Sequence, residues 1–162
     1  MRAPLAIAAL IAAVLAGCGD ANDGGQGPGQ SVVVEVTRVI DGDTIEVDLD
    51  GQTEDVRYIG VDTPETVKPG TPVECYGPEA SDYNHRAVEG EEVRLEFDRE
   101  RRDIYDRLLA YVYLGRDLVN ADLVRLGYAR TLTIPPNTAH AELFDRLEQR
   151  AGDAGRGLWG SC

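Results

Sequence analysis

Two short stretches hold the side chains with chemistry to offer. Val39–Thr44 reads Val-Ile-Asp-Gly-Asp-Thr, and Arg57–Thr66 reads Arg-Tyr-Ile-Gly-Val-Asp-Thr-Pro-Glu-Thr. Asp41, Asp43, Asp62 and Glu65 supply carboxylate oxygens, and Arg57 supplies a planar guanidinium. Oxygen-rich loops with an arginine beside them suit a hard cation that in turn holds a phosphate. An acidic loop alone is usually just solvated, so the chain must bring the two stretches together. Between them, Ile45-Glu46-Val47-Asp48-Leu49 alternates apolar and acidic residues and stops at Asp50-Gly51. That pattern is a half-buried strand turning back on itself, because Asp-Gly accepts the positive φ angles of a tight hairpin. The fold-back carries Asp41–Asp43 towards Asp62–Glu65.

The flanking elements follow from periodicity and breakers. Val32–Ile40 is β-branched and mostly alternating, so it reads as a strand running into Asp41. The second hairpin arm is expected over about 54–61. In an ideal strand Arg57 and Asp62 would face opposite sides, so Gly60 is expected to mark a bulge or bend that re-aims Asp62. Pro64 stops the strand, and 67–76 reads as loop. Gly77-Pro78-Glu79 opens a helix, with proline and an acid in its first turn, that ends near Gly90. Val93–Phe97 and Leu108–Leu114 read as two further strands flanking a charged loop. Asn120 reads as the cap of a short helix through Leu126, stopped by Gly127. Residues 131–137 read as loop, and 138–150 as a helix burying Leu143, Phe144 and Leu147. The sum is α+β: a small five-stranded antiparallel barrel, of which the OB-fold is one form, packed with three helices. His85, His140, Tyr111, Tyr113 and Trp159 read as structural.

The amino-terminal part reads differently. Met1-Arg2 precedes an apolar run and then Leu15-Ala16-Gly17-Cys18. One positive charge, a short apolar core and small residues before a cut point describe an export signal over 1–17. The run falls short of the ~20 residues a membrane-spanning helix needs. Leu-Ala-Gly-Cys resembles the lipobox of bacterial lipoproteins, which implies cleavage before Cys18 and lipid on its sulfur. The two or three acyl chains of such a protein suffice for stable anchoring. The implied location is the outer face of the cell membrane, with plain secretion as the alternative. Residues 18–30 have the composition of a flexible tether, and 31–162 is of single-domain size. With Cys18 assigned to lipid, Cys75 and Cys162 are a candidate disulfide in an oxidising compartment, and two free thiols are the alternative. The formal charge of −13, from 29 acids against 16 bases, disfavours a broad basic face and long-range steering of a polyanion. It counts less against an enzyme that neutralises one phosphate locally.

Together, Val39–Thr44, Arg57–Thr66, Tyr76–Ser81, Asp103–Tyr111 and Val119–Gly127 resemble the staphylococcal nuclease (thermonuclease) family, in order and spacing. The resemblance implies an OB-fold with packed helices and a calcium-dependent phosphodiesterase that cuts DNA or RNA to leave 3′-phosphates. It places Asp43, Asp62 and the Thr63 carbonyl on Ca²⁺, with Asp41 supporting from behind. Glu65 orients or deprotonates the attacking water, Arg57 and Arg107 hold the phosphate oxygens, and Tyr105 bonds a terminal phosphate. Three departures bear on substrate grip. Ile104 stands where the family often has lysine, and Asp106 where it often has glycine. Thr131-Leu132-Thr133-Ile134 lacks the two tyrosines that stack on the base, a contact worth about 1–3 kcal/mol. Members with degenerate sites only bind ligands, so a cell-surface binding module is the alternative reading. Nothing in the sequence suggests an obligate interface, and a monomer is expected.

Overall fold

The computed structural model describes residues 28–66 and 70–162. The expected signal segment, Cys18, most of the tether and residues 67–69 of the expected loop lie outside them. Strand β1 (Ser31–Val39) pairs with β2 (Thr44–Leu49), and β2 pairs with β3 (Gln52–Tyr58), all antiparallel. The β2–β3 turn is Asp50-Gly51, with φ of 56° and 80° as the hairpin requires. On its other edge β1 pairs antiparallel with β5 (Glu92–Glu96), which pairs with β6 (Leu108–Leu114). Strand β3 then meets β6 through Val56↔Leu108, Arg57↔Leu109 and Tyr58↔Ala110, and that closing pair is parallel.

The expected α+β fold, a five-stranded barrel packed with helices, is present, but its strands are not antiparallel throughout, and geometry gives the reason. Both β2 and β5 oppose β1, so β3 and β6 both run with β1. A closed ring with an odd number of strands cannot alternate all the way round, and one seam must be parallel. The barrel interior is filled by alternating apolar residues, among them Val36, Ile45, Val47, Val56, Leu95 and Val112, all with no exposed surface.

Gly60 ends the barrel portion of the second hairpin arm. Its φ is +79°, and a Cβ there would stand 2.6 Å from Phe144 Cε2. The chain bends at this point into β4 (Gly60–Asp62), which leaves the barrel and pairs antiparallel with β8 (Arg130–Leu132). Residues 130–132, at the edge of the expected loop, are thus a short strand. Two-residue β7 (Asp117–Leu118) folds back on β6. Helix α1 (Gly77–Val88) packs on β1, α2 (Val119–Leu126) packs on β6, and α3 (Ala141–Asp153) covers α2 and β4. A fourth helix, α4 (Leu158–Ser161), is one turn long and was not expected. Asn120 is not the cap of α2. Leu118 occupies that position, and Asn120 lies inside the helix, fully buried.

Candidate active site

Asp43 projects from the turn between β1 and β2 and is only 5% exposed. Its Oδ2 accepts the Thr63 N–H (2.7 Å) and the Thr63 hydroxyl (2.9 Å). Thr63 can come this close because residue 42 is glycine: a Cβ there would stand 2.7 Å from Thr63 Oγ1. Asp43 Oδ1 accepts the Thr44 hydroxyl (3.2 Å) and lies 3.2 Å from Arg57 Nε. Arg57 then reaches across the bend. Its Nη2 bonds Asp62 Oδ1 (2.8 Å), and its Nη1 donates to the carbonyls of Tyr58 (2.9 Å) and Val61 (2.7 Å). One guanidinium thus joins Asp43 to Asp62, with the Gly60 bend aiming Asp62 back at Arg57.

The carboxylates outnumber the local cation, and the site's electrostatics register it. Burial, reinforced by the Asp43 charge, pushes Asp41 up to about 6, although its Oδ1 accepts the Asp43 N–H at 3.0 Å. Asp62 is also raised, first by burial and then by the charges of Asp43, Glu74 and Glu65, against the opposing pull of Arg57. Among the described residues no three His, Cys, Asp or Glu side chains are grouped as a ready metal cage. The donor set nonetheless fits a hard divalent ion. Every group is oxygen, two candidate ligands are held about one arginine, and a cation would offset the carboxylate repulsion that adds to burial in raising Asp41 and Asp62. A site of few protein ligands keeps water in its shell.

Glu65 lies beyond β4. Its Oε1 accepts the Thr66 N–H (2.9 Å), and its main chain bonds Glu74. It is near enough to the cluster for its charge to raise Asp62. Arg107 stands across a cavity of about 420 Å³ that Arg57, Tyr105, Leu132 and Ile134 also line. Its Nε and Nη2 lie 2.8 and 2.7 Å from Asp103 Oδ2. Asp103 Oδ1 accepts the N–H groups of Tyr105 (2.9 Å) and Arg107 (3.0 Å). Burial would raise Asp103, but these contacts outweigh it and hold the carboxyl below its usual range. Tyr105 is 73% exposed at the cavity mouth, with Arg107 5.4 Å from its ring centroid.

The family description "Staphylococcal nuclease homologue" matches residues 55–161. The thermonuclease of Staphylococcus hyicus is 47% identical over 125 residues, spanning 77% of this chain and 74% of its own length. The thermonuclease of Staphylococcus intermedius is 48% identical over 131 residues, 81% of this chain and 77% of its own length. Endonuclease YncB of Bacillus subtilis is 44% identical over 134 residues, 80% of this chain and 64% of its own length. The chain belongs to the staphylococcal nuclease family.

Within this family member, several supporting residues escaped the sequence reading. Asn84 on α1, fully buried, donates to the Asp41 carbonyl (2.9 Å) and accepts the Tyr58 hydroxyl (3.0 Å). Asn120 on α2 accepts the Val112 N–H and donates to the Ile59 carbonyl, both at 2.9 Å, just before the Gly60 bend. A signal existed for both: asparagine is a poor residue for a helix interior and competes for backbone bonds, so a mid-helix Asn points to a partner elsewhere. Asp103, which fixes Arg107, and Glu74, which holds Glu65, carried no such signal.

Proposed function

We propose that this chain is an exported, calcium-dependent nuclease that hydrolyses phosphodiester bonds of DNA or RNA and leaves 3′-phosphate ends. The observation that carries the reading is the Arg57 bridge. It ties Asp43 and Asp62 together while Arg57 lines the same cavity as Arg107 and Tyr105. Thermonucleases among the relatives support the same reaction class. Asp43, Asp62 and the Thr63 carbonyl would hold Ca²⁺, which when bound polarises a phosphoryl oxygen. Asp41 fixes Asp43 from behind through the Asp43 N–H. Glu65 takes the proton of the attacking water. Arg57 and Arg107 hold the nonbridging oxygens as negative charge builds, through charge-assisted bonds that a lysine reproduces poorly. Tyr105 donates to a terminal phosphate.

Cys18 carries the lipid in this reading, on a mature chain of tether 18–30 and nuclease domain 31–162, at the outer face of the membrane. Cys75 and Cys162, which meet in the fold, form a disulfide in this reading, as that oxidising setting allows. The purified protein, mixed with denatured DNA and with RNA, should degrade both in millimolar calcium and neither with chelator, and the fragments should carry 3′-phosphates. Intact polymer at saturating calcium, with circular dichroism reporting a folded domain, would instead favour the binding-module reading.

A further inference from the structure

Glu65 is held by one residue from both sides. Its N–H donates to Glu74 Oε2 (3.0 Å), and its carbonyl accepts the Glu74 N–H (2.9 Å). The main chain is therefore fixed on either side of the carbon that carries the carboxylate. Glu74 lies in an exposed run. Residues 70–75 are all exposed, Val73 at 59%, so apolar burial does little to keep Glu74 in place. Two attachments hold this run instead. The Glu74 carbonyl accepts the Gly77 N–H (3.0 Å) at the entry to α1, and the next residue, Cys75, meets Cys162 from 87 positions away.

We propose that Glu74 is a positioning residue for Glu65, and that the Cys75–Cys162 bond makes this positioning depend on oxidation. The inference rests on the reading of Glu65 as the base. A dithiol reductant breaks the bond by exchange: its thiolate attacks one Sγ, and a mixed disulfide forms. That attack expels the other cysteine, and the reductant's second thiol then closes a ring and releases the cysteine still bound, so that both end as thiols. Two electrons and two protons pass from the dithiol to the cysteine pair. Both cysteines are exposed, so the reductant has access. The chain would then be poorly active in a reducing compartment and fully active in an oxidising one, which protects nucleic acid inside the cell where it is made.

The test uses the full chain with denatured DNA in calcium, at a temperature where every form is folded by circular dichroism. Glu74→Ala, the dithiothreitol-reduced parent and the Cys75→Ser/Cys162→Ser double variant should each lose about ten-fold or more in kcat, with KM within about two-fold, as expected for a misplaced group. Glu74→Gln keeps an oxygen for the Glu65 N–H and should recover most of that kcat. Adding Glu74→Ala to the double variant should lower kcat no further, since both act through one contact. Hydrogen exchange at the Glu65 amide gives a second readout that needs no activity. It should be slow in the oxidised parent and in Glu74→Gln, and faster in Glu74→Ala and the reduced chain. A parent that cleaves, with kcat unchanged by Glu74→Ala or by reduction, overturns the proposal. A parent that does not cleave overturns the nuclease reading instead, and the exchange rates still decide the clamp: equal rates in all four forms sink it.

Discussion

Arg57 shows how fully one side chain can be committed at this site. Nε faces Asp43, Nη2 faces Asp62 and Nη1 serves two carbonyls, so the side chain both builds the cluster and offers its outer face to the cavity. Lysine cannot make that set of bonds. We predict that Arg57→Lys lowers kcat by about 10²–10³-fold, the range seen when one donor to a developing oxyanion is lost. A variant within ten-fold of the parent would remove Arg57 from the reaction. Glu65→Ala should cost about 10²–10⁴-fold, as for a positioned general base, without lowering the melting temperature; a small loss in a steady-state assay would reassign that role. Asp41 makes a prediction about pH. Its folded pKa of about 6 stands above the ordinary 3.8, so between those values the folded chain keeps a proton that the unfolded chain has released. Stability is thus greatest below that window and falls as pH rises through it. Asp41→Asn keeps the oxygen that accepts the Asp43 N–H but carries no charge. In chelator it should match the parent near pH ~4 and exceed it by about 1–3 kcal/mol at pH ~8. Urea unfolding at both pH values checks this, and a gap that does not change with pH contradicts it.

At the scale of elements, the site is an outcome of two joints. The first is the Gly60 bend, which sends β4 out of the barrel and turns Asp62 towards Arg57. Gly60→Ala meets both a positive φ and the Phe144 ring, so a loss of about 1–3 kcal/mol is expected, with a fall in activity because Asp62 moves with the bend. Thermal melting and cleavage should fail together; a stable variant without activity would separate the two. The second joint is Asn120, whose replacement by alanine leaves the Val112 N–H and the Ile59 carbonyl buried and unpaired. That should cost about 2–4 kcal/mol. The hairpin, the bend and the strands at 92–96 and 108–114 were legible because each rests on local pattern: alternation, Asp-Gly, and a glycine between residues of conflicting facing. The parallel seam was not legible, since it follows from ring closure and not from any one strand's composition. Asn120 was misread as a cap because the local rule that places asparagine at helix starts says nothing of a partner on β6 or before β4. Of the candidate residues, Asp43, Arg57, Asp62 and Thr63 do meet in one bonded cluster, and Arg107 and Tyr105 share the cavity wall. The loop that holds Glu65 was hidden because Glu74 is nine positions away across a stretch without periodicity.

The whole molecule sets a constraint that no single contact relieves. A chain of formal charge −13 is asked to take a polyanion, and its two cavity arginines already face Asp43, Asp62 and Asp103. At long range the substrate meets like charge, so encounter is slowed and not steered. Salt should act here in the opposite sense from its action on a basic nucleic-acid binder, whose affinity falls steeply as counterions lose their advantage. Raising monovalent salt from about 10 to about 100 mM shortens the screening length from ~30 Å to ~10 Å. Repulsion from the distant acids then fades, while the short contacts to one phosphate, shielded in the cavity, weaken less. With calcium held saturating, kcat/KM on long single-stranded DNA should therefore rise a few-fold over that range, whereas a dinucleotide, which carries little charge to repel, should respond weakly. Initial rates on the two substrates across a salt series decide the matter. A steep fall with salt on the long polymer would mean that a basic track guides the strand, and the arginines outside the cavity, such as Arg125, Arg150 and Arg156, would become the place to look for it.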